Sequence, residues 1–469
     1  MSLLIVGLDN TIVNVALPSI GRELHTSVSG LQWTVDAYTL VLASLLMLSG
    51  SMADRLGRRR IFALGLVLFT LGSLLCSVAP TLGWLIAFRM LQAVGGSMLN
   101  PVAMSIIRNV FTDARERAQA IGVWGATVGI SLALGPVVGG VLVGSVGWRS
   151  IFWINIPVGL SALALTVRFV PESRAPHPRR LDAVGQTLVI VLFGSLTYAI
   201  IEGPKAGWLS TQSVALLALA AAALAALVPY ERRRREPLLE LRFFRSVPFS
   251  SASVIAVCAF AALGGFLFLN TLYLQEARGL SALQAGLCTL PIAAMTLIFA
   301  PISGRIVGRS GPRAGLLVGG IGIALGAALL SGLGAHTSIP SLVPAYLIFG
   351  IGFGMVNPPI TNTAVLGMPP AQAGVAAAVA STSRQLGQTL GVAVVGAVVA
   401  GGVVTVGPGF VQASHTGWWI VAACGVAVLA LGFASTGERA KASARAVAEE
   451  LGGGEEVDVQ APEPELVGA

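Results

Sequence analysis

Charge is what this sequence has least of. Asp, Glu, Lys and Arg together make up 11% of its 469 residues, against roughly 25% in an ordinary soluble domain, while hydrophobic residues make up 55%. That balance excludes a soluble globular protein. Cysteine is scarce too: Cys76, Cys258, Cys288 and Cys424 stand alone within apolar runs, without the spacing of metal ligands, so neither a disulfide framework nor a metal site is expected. His25, His177, His336 and His415 fall in loops or at the ends of those runs, which argues against a metal or relay role. Paired carboxylates, a nucleophile motif and a phosphate-cradling glycine-rich loop are all missing. The chain therefore reads as no enzyme, with no bound cofactor and no ATP drive.

What fills the sequence is apolar runs of about 20 residues, each long enough to cross about 30 Å of hydrocarbon as a helix. Fourteen candidates lie at residues 2–20, 31–52, 61–79, 82–107, 118–145, 150–170, 183–202, 210–229, 249–274, 282–304, 314–334, 339–362, 373–403 and 416–435. This is an all-α polytopic membrane protein. Arginines crowd alternate connections: Arg55 and Arg58 to Arg60; Arg108, Arg115 and Arg117; Arg174, Arg179 and Arg180; Arg232 to Arg235; Arg305, Arg309 and Arg313. The positive-inside rule places those loops, and with an even count both termini, in the cytoplasm. It also explains the formal charge of +8 without nucleic acid. No basic leader with a small-residue cleavage site precedes the first run, which is expected to stay in the membrane.

A repeat organises the runs. GSMADRLGRR from Gly50 returns as GRIVGRSGPR from Gly304, with Gly308 where the first copy has Asp54. The copies stand eight candidate helices apart, so two six-helix halves are separated by two inserted helices. Residues 1–170 form the first bundle, 171–245 the linkers and inserted pair, 246–435 the second bundle, and 436–469, with its GGGEE and PEPE stretches, a disordered cytoplasmic tail. Secondary transporters are built from such repeats, with the substrate near the midplane between them.

Polar residues inside the runs are the candidates for function. Asp9, in LDNTIVNVALP, sits near the middle of the first run, where a carboxylate costs roughly 2.5–3.5 kcal/mol on insertion scales. Arg89, in WLIAFRMLQAVGGSMLNP, needs a counter-charge for the same reason. Asp36, in LQWTVDAYTL, stands near the end of the second run. The second half offers only Asn270, Tyr273, Gln275, Asn357, Asn362, Arg384 and Gln388, with no acid inside a run. Ionisable coupling chemistry is therefore expected in the first half. Trp124 and Phe353 are further candidates for cavity lining. In GATVGISLALGPVVGGVLVG, from Gly125, small residues recur four apart at Gly125 and Gly129, Gly135 and Gly139, and Gly140 and Gly144, with Pro136 between, a pattern that lets helix backbones approach closely.

These motifs resemble the major facilitator superfamily. Its signature loop matches GSMADRLGRRR, which implies gating roles for Gly50, Asp54, Arg55, Gly57 and Arg58 as a latch between access states. Its exporters carry a fifth-helix motif similar to Gly135, Pro136, Gly139 and Gly140. An embedded arginine followed by Gln and Gly, matching Arg89, Gln92 and Gly95, is implicated there in proton transfer, and an aspartate before Ala-Tyr, matching Asp36, can contribute to recognition of cationic drugs. With WRSIFWINIPVG, EPLLELRFFRS, YLQEARGLSALQAGL and GIGFGMVNPPITNTAVL followed by STSRQLGQTLG, the likeness narrows to the fourteen-helix drug:proton antiporter family over about residues 3 to 435. The resemblance implies a monomer in the cytoplasmic membrane, surrounded by lipid, that exports small amphipathic or cationic drugs against protons; Asp9 and Arg89 are the candidates for coupling, and Asp36, Asn270, Tyr273 and Asn357 for substrate binding. A dedicated exporter of one endogenous metabolite, conferring self-resistance in the same fold, is the alternative.

Overall fold

A computed structural model describes residues 2–111, 113–175, 181–234, 236–402 and 409–452. The expectations for His177, Arg179, Arg180, Arg235 and residues 453–469 fall outside the described residues, as do those for the side chains of Arg115, Arg117, Trp124 and Gly125. Among the described residues every regular element is helical, as a chain must be if its backbone is to satisfy its own hydrogen bonds in lipid without forming a closed barrel.

The first group comprises α1 (Ser2–Glu23), α2 (Val28–Leu56), α3 (Arg58–Ser77), α4 (Leu82–Ser97), α5 (Asn100–Val110), α6 (Ala114–Ser145), α7 (Ser150–Trp153) and α8 (Asn155–Phe169). Pro101 at the start of α5 lacks the N–H that would continue α4, so one span is broken in two. Two long helices follow, α9 (Ala183–Ala206) and α10 (Thr211–Arg233), then α11 (Val247–Leu272), α12 (Ala282–Cys288), α13 (Leu290–Ser310), α14 (Arg313–Leu330), α15 (Val343–Val365), α16 (Pro370–Gly402), α17 (Phe410–Ala434) and α18 (Glu438–Glu450). Among the described residues, twelve helical segments are long and apolar enough to cross a bilayer, against the fourteen expected. Neither α6 nor α16 is among the twelve, although they run for 32 and 33 residues.

Large apolar side chains such as Leu64, Leu71, Leu74, Ile321, Leu325 and Leu329 point outward, forming the apolar exterior that lipid requires. Glycines mediate the inner contacts. A methyl added to Gly322 of α14 would stand 2.6 Å from Gly352 Cα of α15, so those helices meet backbone to backbone.

The halves join along two seams. On one, α2 meets α16: Gln32 Nε2 donates to the carbonyls of Val392 and Ala393, at 3.3 and 2.9 Å, and Thr389 donates to Thr39 at 2.8 Å. On the other, α6 meets α12 and α13. Between them α1 faces α11 and the turn Tyr273–Ala277 that follows it, where Gln275 donates to the Val15 carbonyl at 2.9 Å and Glu276 pairs with Arg22 at 2.9 Å. The α9–α10 pair lies beside the first seam, where α9 touches both α2 and α16. Gln186 donates to the Ser44 carbonyl at 2.6 Å, and Trp33 donates to Glu202 at 2.9 Å.

The tail departs from expectation. Residues Glu438–Glu450 form α18, packed on α11 and on the turn Leu241–Arg245. Its alanines are the reason: Ala440, Ala444 and Ala448 are good helix formers that share one buried face with Val447. Arg245 holds both carboxylate oxygens of Glu450 at 3.0 Å.

Candidate functional site

Asp9 is wholly buried, and its charge is answered inside the first half. Its Oδ2 accepts from Arg89 Nη1 at 2.5 Å, and its Oδ1 accepts from Gln92 Nε2 at 2.9 Å and Asn155 Nδ2 at 2.8 Å. Arg89 also donates to Gln92 Oε1 at 2.8 Å and to the Thr34 carbonyl at 3.3 Å, and its guanidinium lies 4.2 Å from the Tyr38 ring centroid. Ser73 accepts from Asn155 at 3.0 Å and anchors the network by donating to the Phe152 carbonyl at 2.9 Å. Five helices, α1, α2, α3, α4 and α8, thus converge on one ion pair. In such a dry place a pair held by extra hydrogen bonds is tolerated, whereas either charge alone is not. One donor, Arg89 Nη2, remains without a partner.

Depth marked Asp9 and Arg89 each as a charge in need of a partner, and the structure pairs them. Asn155 and Ser73 went unassigned, although Asn155 is a polar residue inside WRSIFWINIPVG, the signal that could have found it. Asp36 is fully buried, with no partner for either carboxylate oxygen, so in this conformation it presents nothing to a substrate. Asn270 Oδ1 accepts from the Tyr346 hydroxyl, and Tyr273 donates to the Gly334 carbonyl at 2.9 Å. Asn270 borders a cavity of about 10 Å³ shared with Thr11, Asn14 and Pro136, room for a single water and too small for a drug-sized molecule. Asn357 is half-buried on α15, immediately before Pro358 and Pro359.

The signature loop is clamped within the first half. Asp54 accepts from Arg58 at 2.8 Å, while Arg55 is exposed. A partner absent from the sequence reading is Glu172, which accepts from the Arg59 backbone at 3.1 Å and faces Arg60 at 3.6 Å. The segment after α8 closes over the loop through Arg58 N to the Ser173 carbonyl and Ala175 N to the Asp54 carbonyl, at 2.9 and 3.0 Å. Gly57 turns there with φ +119°, and Gly311, its counterpart in the repeat, turns with φ +82°. The second copy has kept the turn and lost the clamp: a methyl on Gly57 would stand 2.7 Å from Glu172, whereas one on Gly311 meets nothing within 4 Å. Gly57→Ala is therefore expected to destabilise the purified protein by about 1–3 kcal/mol through backbone strain plus that collision, and to lower its thermal midpoint more than Gly311→Ala does. Equal shifts would mean that the Glu172 contact contributes nothing.

Gly50 packs on Pro101 at ordinary distance. The fifth-span motif grips both halves. Methyls on Gly135 and Gly139 would run into Thr11 and Ile12 of α1, and one on Gly140 would stand 2.5 Å from Leu283 Cα of α12. The Pro136 carbonyl lies against Gly286 of α12. Gly144 meets nothing within 4 Å, so the third small-residue step is not a tight contact at that end.

Comparison with known proteins agrees with this architecture. The family described as the Major Facilitator Superfamily matches residues 1–392. A multidrug resistance protein, Stp, of Mycobacterium tuberculosis (strain CDC 1551 / Oshkosh) is 39% identical over 400 residues, covering 85% of this chain and 74% of that protein. The tetracenomycin C resistance and export protein of Streptomyces glaucescens is 35% identical over 402 residues, covering 85% and 74%. A methylenomycin A resistance protein of Streptomyces coelicolor (strain ATCC BAA-471 / A3(2) / M145) is 37% identical over 398 residues, covering 84% and 82%. Among solved structures, a POT family transporter in complex with a thioalcohol-conjugated peptide superposes with a TM-score of 0.67 at 15% identity, over 92% of this chain and 94% of that one. That last likeness concerns the fold alone.

Proposed function

Because the chain belongs to the major facilitator superfamily, we propose that it is a proton-coupled antiporter that exports small amphipathic or cationic drugs and antibiotics by alternating access. The relatives named for multidrug resistance and efflux support the direction and the substrate class. The observation that carries the coupling is the buried Asp9–Arg89 pair. Protonation of Asp9 removes the negative partner of Arg89, so the neutral and ionised forms favour different packings of α1 against α4. We place proton uptake on the side of Arg22 and Glu276 and release on the arginine-rich side, which we assign to the cytoplasm together with both termini. Each proton moving inward gains about 2.3 kcal/mol per 100 mV, so no other cofactor is required.

In this proposal α6 and α16 also cross the cytoplasmic membrane, giving fourteen spans in a lipid-embedded monomer. Their lengths, about 48 and 50 Å at 1.5 Å per residue, and their packing between spanning helices support it. A dedicated exporter of one metabolite is the second reading, favoured by the tetracenomycin C export relative. The test is efflux of a fluorescent cation from vesicles containing the purified chain, with and without an imposed proton gradient. Gradient-dependent efflux is expected. Equal rates after the gradient is collapsed would overturn proton coupling, and a panel in which one natural product alone is moved would favour the second reading.

A further inference from the structure

One cation inside the bundle has no counter-charge. Arg384 lies on α16, one helical turn before Gln388, and residues four apart share a face of a helix. Gln388 accepts from Asn10 of α1 at 3.0 Å, across the gap between the halves. Arg384 therefore faces that gap, one turn nearer the arginine-rich end. Its guanidinium donates to Thr361 of α15 and lies 5.9 Å from the Phe260 ring centroid of α11, and Phe260 packs edge-on against Phe353 at 5.3 Å. Its Nε has no partner, and among the described residues no carboxylate stands within ion-pair distance of it.

The surroundings suit a ligand. Thr361 is exposed and Arg384 half-buried, with its Nε enclosed, so the site opens to solvent at the arginine-rich end through Thr361. Arg108 of the other half adds positive charge at that mouth, since a Cβ placed on Gly374 of α16 would stand 3.6 Å from its Nη1. Asp9 does not balance this potential, because its charge is answered by Arg89 inside the first half, and Asp36 makes no polar contact with Arg384. A planar guanidinium with an unpartnered Nε, beside a hydroxyl and an aromatic face, can take up a carboxylate attached to a ring system.

We propose that Arg384, with Thr361 and Phe260, binds the acid group of amphipathic substrates that carry a carboxylate, whether or not a cationic group stands elsewhere in the molecule. This rests on the exporter reading and names its substrate class. The matched probes are rhodamine 110, which has a free carboxylate, and rhodamine 123, its methyl ester on the same ring system. In fluorescence polarisation on the purified full-length protein, the carboxylate dye is expected to bind about tenfold tighter than the ester, the scale of a charge-assisted hydrogen bond. Arg384→Gln should abolish that preference by weakening the carboxylate dye alone, and Arg384→Lys should keep part of it.

Absence of a preference in the wild type, or equal weakening of both dyes by Arg384→Gln, would overturn the assignment and leave Arg384 as a residue that packs or snorkels. Vesicle efflux of the same dyes separates the two levels. Gradient-driven movement of both dyes without preference would sink the site and leave the exporter standing. Arg384-dependent binding with no movement of either dye would do the reverse.

Discussion

Asp9→Asn abolishes gradient-driven efflux, by about 100-fold or more, while the protein still inserts. Asparagine matches aspartate in shape and can still accept from Gln92 and Asn155. What it cannot do is neutralise Arg89, which would be left charged and fully buried at a cost of about 3–5 kcal/mol. The second loss is specific to coupling, since the amide takes up no proton at any working pH. Asp9→Glu retains part of the activity, because the charge remains while one extra methylene must be fitted into a fully buried site, at about 1–3 kcal/mol. The double variant Asp9→Asn, Arg89→Gln separates the two losses: thermal stability should recover toward the wild type, and coupled efflux should not. Efflux of a fluorescent cation, with expression matched by blot, measures all three. Full activity of Asp9→Asn at every pH would remove this carboxylate from the mechanism.

The second large effect is expected at Gly140. A leucine there would drive a side chain into the backbone of the opposite half, where even a methyl stands 2.5 Å from Leu283 Cα and 2.7 Å from the Ala282 carbonyl oxygen. Backbone cannot rotate away as a flexible side chain can. The seam between α6 and α12 must open, which biases the halves away from the conformation described here, and each 1.4 kcal/mol of bias changes the population ratio tenfold. Efflux should fall about tenfold or more with insertion unchanged. Gly144 supplies the control on the same helix: a methyl there meets nothing within 4 Å, so Gly144→Leu should transport normally. Similar loss in both variants would trace the defect to the bulk of leucine on α6 rather than to the seam.

Much of this was legible in the sequence. Depth in an apolar run marked Asp9 and Arg89 as residues in need of partners, and spacing marked the close approach at Gly135, Gly139 and Gly140. The repeat aligned GRIVGRSGPR with the signature loop, and the structure turns at Gly311 as it does at Gly57. The partners were harder. Asn155 reaches Asp9 from a helix far along the chain, Ser73 joins the network through Asn155, and Glu172 reaches the signature loop across more than a hundred residues, so no local periodicity connects them. Asp36 is buried although it stands near the end of its run, because neighbouring helices can cover a residue at any depth. The tail misled through its last residues: glycine and proline after Leu451 coloured the reading of an alanine-rich stretch that has a surface to dock on. Arg384 stood in plain view as a polar residue of the second half, but only the relation of α16 to α1, α11 and α15 reveals that it lacks a counter-ion.

The placement of α9 makes the two sides of the molecule unequal toward the lipid. A lipophilic compound dissolved in the bilayer would enter a transporter sideways, through a slit between the halves. At the α2–α16 slit, α9 stands in the doorway and is held to α2 at two levels, by Gln186 and by Trp33. At the other slit the door is α6 against α12 and α13, where Gly140 and Gly286 meet backbone, and among the described residues neither α9 nor α10 packs on it. A compound arriving from the bilayer would therefore meet α9 on one flank and, on the other, the helix bearing Gly135, Pro136, Gly139 and Gly140 as its threshold.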